Sequence, residues 1–128
     1  MGLNEFLDTM PDEEGGQFTY AGLSELSALS ADDARDLVEA WEEWTEARMV
    51  NFLHRLVGLS EDNTLLEFDT VFKHALTIES VPGRKLALAG LAESDDRTLV
   101  TPLLKMVKSD PADDVREDAT LALARFAA

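Results

Sequence analysis

From Ser30 onward, apolar side chains recur every three or four positions, the period of helices with one buried face, and no stretch alternates long enough for a strand. Leu37, Val38, Trp41 and Trp44 make an apolar stripe opposite Asp36, Glu39, Glu42 and Glu43, which predicts a helix from about Ala31 to Trp44. Ser30, three residues before Asp33, resembles a capping box that would satisfy amides of the first turn. The next helix, "TEARMVNFLHRLVGL", carries Met49, Phe52, Leu53, Leu56 and Val57 on one face and ends at Gly58 or in the polar run "SEDN". Together the two form a helical hairpin. Further helices are expected over Thr64–Leu76, Pro82–Ala92, Asp96–Lys108 and Asp113–Ala127, about six in all, so the fold class is all-α.

Residues 1–22 carry weaker signals. "NEFLDTM" could turn Phe6 and Leu7 inward, and the Gly-Gly pair at 15–16 reads as a linker. "AGLSELSAL" could add a short helix with Leu23, Leu26 and Leu29 inward. The main domain therefore runs over 23–128, with a first hairpin at 31–59.

Shifting the chain by 32 residues lays the last two helix pairs on one another, 64–92 on 96–127. Phe68 falls on Val100, Val71 on Leu103, Phe72 on Leu104, Arg84 on Arg116, Ala87 on Ala119 and Leu91 on Leu123. Repeated two-helix units explain the match economically, because one pair leaves an apolar side that only a stacked neighbour covers. Ala87, Gly90, Ala119 and Ala122 mark faces where helices approach closely. The first hairpin departs from the register, as terminal units of such arrays often do.

"SDPADDVREDATLALARFA", with its Asp-Pro turn, Val115–Arg116, Ala119 and Ala122–Leu123, resembles the second half of a HEAT repeat of the PBS lyase HEAT-like type. "DDRTLVTPLLKMV" is similar to the first helix of such a unit, including Pro102 where these repeats commonly bend. The resemblance covers roughly Leu23 to Ala128, and the wider arrangement is similar to prokaryotic HEAT-repeat proteins. It implies a right-handed α-α superhelix, a solenoid of stacked antiparallel pairs. It also implies a polar ladder between repeats, built from an Asp in the turn and an Arg opening the second helix. Asp110 and Arg116 fit that motif; the earlier unit keeps Arg84 but has "TIESVPG" where the acidic turn would stand.

Composition narrows the function classes. The 128 residues are 45% hydrophobic and 29% charged, enough for one domain with a modest core. Asp and Glu number 26 against 11 Lys and Arg, a net charge of −15, and such a surface repels phosphate backbones, so no nucleic-acid partner is expected. The acidity admits two readings, attraction of a basic partner protein or solubility in a salty cytoplasm, and the second is the commoner cause. No apolar run reaches the ~18 residues of a membrane span and the N-terminus lacks a signal-peptide pattern, so a cytoplasmic protein is expected. Without cysteine there are no disulfides, thiolate metal sites or thiol nucleophiles.

Catalytic motifs are lacking. His54 and His74 fall on different helices with no third ligand, and the acidic pairs Glu42–Glu43 and Asp95–Asp96 lack the alternating oxygens of a calcium loop, so neither metal nor cofactor is expected. Trp41 and Trp44 could hold a ring or a peptide, although their spacing on an apolar stripe fits core packing better. Most in keeping with this pattern is a protein-binding scaffold without catalysis of its own. Lys85, Leu88, Glu117 and Thr120, at equivalent positions in the aligned units, are the candidate exposed contacts. Two other readings stand beside it: an accessory subunit or lyase-like chromophore-handling protein, and a structural or capping module of a longer array. Leu123 and Phe126 should pack partly on the preceding unit. The outer side of their helix would meet a further repeat, a partner chain or a second copy of this one.

Overall fold

The computed structural model describes residues 20–127, and in them the chain is all-α. Seven α-helices run in order among the described residues: α1 Tyr20–Ser24, α2 Ala31–Trp41, α3 Glu46–Asp62, α4 Asp69–Ala75, α5 Val81–Gly90, α6 Val100–Ser109 and α7 Asp113–Ala124. Short 3-10 turns at Arg97–Leu99 and Arg125–Ala127 lead into α6 and follow α7. The turn expected over "NEFLDTM" and the Gly-Gly linker lie outside the described residues.

Side-chain caps set several helix starts. Ser30 Oγ accepts from the Asp33 amide at 3.2 Å, Thr45 Oγ1 from Arg48 at 3.2 Å, and Ser80 Oγ from Gly83 at 3.0 Å. Boundaries differ from the sequence expectation at the end of α2 and the start of α4, while α3 takes one of its two expected ends. Helix α2 stops at Trp41 because the next three amides tighten into i→i−3 bonds, Trp44 N–H donating to Trp41 O at 3.0 Å, and this swings Trp44 onto Phe52. In α3 the helix passes Gly58 and ends in the polar run, with Asn63 as its C-cap. The helix expected from Thr64 begins only at Asp69. Distant backbone partners explain that delay: Glu67 N–H donates to Ser27 Oγ at 2.8 Å and Glu67 O accepts from Ala28 N–H at 2.7 Å. The Asn63 carboxamide also takes the Leu65 amide at 3.1 Å, which leaves Leu65 90% exposed.

The second helices of the three pairs pack side by side, α3 on α5 and α5 on α7, while α4 and α6 lie against the second helix of their own pair. One continuous core results, with Phe52, Phe68 and Phe72 among its largest fully buried side chains. Leu23 and Leu26 reach it from the N-terminal side, and Leu123 and Phe126 pack against it at the other end. Arg125 fastens that end by donating to the carbonyls of Leu91, at 3.1 Å, and Ser94. The closing helix therefore has its inner partner in the preceding unit.

Close approach in the middle pair depends on one glycine. A Cβ on Gly90 would stand 2.5 Å from Cε2 and Cζ of Phe72, whose ring is fully buried and has no room to withdraw. At the aligned positions of the last unit the pair is Leu104 and Ala122, so the larger ring goes with the smaller helix residue. Gly90→Ala should cost about 1–3 kcal/mol of overpacking against a gain of at most about 1 kcal/mol in helix propensity. Adding Phe72→Leu should recover part of that loss. Denaturation midpoints of the two single variants and the double variant measure the coupling; strictly additive losses would exclude a steric origin.

The outer side of the last unit is more polar than the same side of its neighbour. Leu76 and Leu88 are buried, whereas their aligned counterparts Lys108 and Thr120 are exposed. Leu104 remains apolar there and is 41% exposed.

Candidate functional site

Of the three residues expected in a polar ladder, Asp110, Arg116 and Arg84, the structure joins the side chains of Arg84 and Asp110. Arg84, at the start of α5, makes a two-pronged ion pair with Asp110 of the α6–α7 turn, Nε to Oδ2 at 2.8 Å and Nη2 to Oδ1 at 3.0 Å. Its remaining nitrogen, Nη1, donates to the carbonyls of Ile78 at 2.9 Å and Glu79 at 2.8 Å. Asp110 also accepts the Ala112 amide at 2.9 Å, so one carboxylate shapes its own turn and binds the preceding unit. Both side chains are buried, and a charge pair in that setting persists only with such dense hydrogen bonding. Arg116 repeats half of the arrangement. It donates to the Asp110 carbonyl at 2.6 Å, as Arg84 does to Ile78, and its other prong meets Asp113 of its own helix.

The four candidate contacts separate. Lys85 is half-buried, with its ammonium 3.6 Å from Asp114. Leu88 was expected to be exposed and is 5% exposed, a correction with a simple cause: α7 covers that face of α5, and nothing described covers the same face of α7. Lys85 and Leu88 line a shallow groove of about 330 Å3 between α5 and α7, together with Ala89, Ala92, Asp118, Leu121, Ala122 and Arg125. Glu117 and Thr120 are exposed but do not line it, and the Thr120 hydroxyl donates to Arg116 O at 2.8 Å. The sequence reading missed Leu121, which is 67% exposed in the groove wall. Its signal was an apolar residue that breaks the face of α7 established by Val115, Ala119 and Ala122.

A larger cleft of about 890 Å3 opens where the α2–α3 connection faces the α4–α5 turn. Val38, Trp41, Trp44 and Met49 line it on the first side and His74, Thr77, Ile78 and Ser80 on the second, with Glu42, Glu46 and Glu79 among the lining residues. Trp41 and Trp44 serve as core as well: both meet the Phe52 ring edge-on, with centroids 6.2 and 5.1 Å away. Trp41 is 8% exposed, yet its indole nitrogen has no hydrogen-bond partner. Arg48 stacks its guanidinium over the Trp44 ring, 5.2 Å from the centroid. His74 and His54 are both exposed and lie on α4 and α3.

A third polar cluster joins α4 to the start of α6. Ser94 donates to Asp69 at 2.7 Å, and Lys73 donates to Asp96 at 3.1 Å and to the Thr98 hydroxyl at 2.8 Å. The Thr98 hydroxyl, then its backbone N–H, then Lys73 hold the Asp96 carboxyl at about 2, below its ordinary 3.8. Because the folded state lowers this pKa, the resulting stability is complete above the unfolded value and is lost as pH falls from about 3.8 toward 2. Thr98→Ala should move the Asp96 titration up toward 3.8, as followed through the carboxyl carbon resonance. An unmoved titration would assign the shift to other groups.

Among the described residues no three His, Asp or Glu side chains are grouped so as to hold a metal ion, and no helix is long and apolar enough to cross a membrane. Compared with known proteins, the chain matches no family model, no curated protein and no solved structure.

Proposed function

We propose that the chain is a protein-binding module built from HEAT-like helix pairs, with no catalysis of its own. The observation that carries the reading is the groove between α5 and α7, where Leu121 stands 67% exposed between two second helices. An array of this kind offers its second helices to partners as a continuous surface. The small residues Ala89, Ala92 and Ala122 leave the groove floor open to a side chain from outside, and Lys85, Asp118 and Arg125 supply polar contacts at its edges. Apolar centres with polar margins suit protein contacts.

A photo-crosslinking residue placed at Ala92, in the cell of origin, tests this reading. The expected result is a discrete adduct that is absent when the same residue is placed at Glu61 and is lost on adding Leu121→Glu. Equal labelling at both positions, or no effect of Leu121→Glu, would count against the groove.

The reading as a structural or capping unit is favoured by Lys108 and Thr120, which stand where the preceding unit buries Leu76 and Leu88. A polar outer face is what terminal units of stacked arrays need. Both readings keep the chain in the class of non-catalytic assembly proteins.

A further inference from the structure

We infer that the cleft between the α2–α3 connection and the α4–α5 turn is a docking site for an arginine-bearing segment of a partner protein. The inference takes its class of partner from the protein-binding reading above but rests on different residues. Three observations converge on it. Glu42, Glu46 and Glu79 line the cleft, and among the described residues no lysine or arginine lines it. The chain as a whole carries −15, which steers cations toward it and leaves a neutral or acidic segment at a disadvantage. Trp41 and Trp44 supply aromatic walls beside those carboxylates, and the Trp44 ring already takes one guanidinium, that of Arg48, at 5.2 Å.

Arginine fits this combination better than lysine. Its planar head can stack on an indole and still direct N–H groups in its plane to carboxylates, whereas an ammonium is a point charge with a tighter hydration shell. A volume of about 890 Å3 exceeds one side chain and suits a short extended segment with flanking residues. The cleft is open rather than enclosed by the fold, so a segment can enter along its length without threading.

The chain contains two tryptophans, and both line the cleft, so tryptophan emission, excited selectively over the single tyrosine, reports on this site. Titrating the full chain with a short peptide of alternating arginine and glycine should change that fluorescence saturably. The variant Glu42→Gln/Glu46→Gln/Glu79→Gln should weaken binding about tenfold or more, since three partly screened charge contacts are removed together. A control, Glu61→Gln/Asp62→Asn/Glu117→Gln, removes the same charge from exposed positions elsewhere and should leave the affinity within about twofold. Equal weakening by both variants would reduce the effect to general acidity and overturn the site. So would fluorescence unchanged by the peptide, a glutamate–glycine peptide that binds as well, or free arginine amide that binds as tightly. Failure here with crosslinking at Ala92 retained removes this cleft and leaves the groove; the reverse result removes the groove and leaves the cleft.

Discussion

Replacing Asp110 with alanine should destabilise the protein by about 3–5 kcal/mol, a large share of the roughly 5–15 kcal/mol that holds a domain of this size together. The loss comes less from the missing attraction than from what remains. Arg84 would keep its charge in a site where its side chain is 8% exposed, with Nε and Nη2 unpartnered and Nη1 still tied to Ile78 and Glu79. The α6–α7 turn would also lose the bond from Asp110 to the Ala112 amide. Arg84→Met alone should be comparably harmful, since it strands the carboxylate. The double variant Arg84→Met/Asp110→Ala should be more stable than Asp110→Ala, because no uncompensated charge is left buried. Urea denaturation of the four proteins gives the coupling directly. A double variant that loses the sum of the single losses would show that the pair acts as two independent contacts.

That ion pair also marks the limit of what could be read from the chain alone. The 32-residue register aligns Arg84 with Arg116 and Ala87 with Ala119, and the caps and apolar stripes of α2 and α3 are local features that one helix determines by itself. Pairing is not local. The Asp110 carboxylate goes to Arg84, 26 residues back, while its backbone carbonyl takes Arg116, six residues on, and the period of a single helix does not hold that choice of partners. Thr64–Phe68 shows the same limit from the other side. Its sequence is compatible with a helix, yet the Glu67 backbone is held by Ser27 and Ala28. No periodicity within residues 64–76 contains that information.

Candidate surfaces were legible to a different degree. Lys85 and Leu88 do line the groove on α5, but equivalence by register misassigned the exposure of Leu88. Register equates positions on a helix, whereas exposure depends on whether a neighbour covers them: α7 covers α5, and Thr120 has no such cover among the described residues. The tryptophan cleft needs two segments distant in the chain, Val38–Met49 and His74–Ser80, to face one another. Trp41 and Trp44 at helical spacing suggested core, and they are core through Phe52, but one side of that core is also a wall open to solvent.

Phe52→Ala should be the second severe lesion, at about 3–5 kcal/mol, with a fall in Tm of about 10–20 °C. Phe52 is fully buried in the middle of α3, and no polar group is lost with it, so the cost is the transfer of the ring and the cavity it leaves. Two edge-on contacts, to Trp41 and Trp44, go with the ring, each worth about 0.5–1.5 kcal/mol beyond the area it buries. Phe52→Leu keeps most of the volume and should cost about 1–2 kcal/mol. The variants differ in a second respect. Trp44 lies beyond the end of α2, and its packing onto Phe52 holds the α2–α3 connection in place. Loss of the ring should therefore broaden and red-shift the tryptophan emission of the still-folded protein, well below its Tm. The arginine–glycine peptide should also bind more weakly, although no residue lining the cleft has been changed. A destabilised Phe52→Ala protein with unaltered emission and peptide affinity would mean that Trp41 and Trp44 are positioned by their own helix ends, and that the core and the cleft do not share this support.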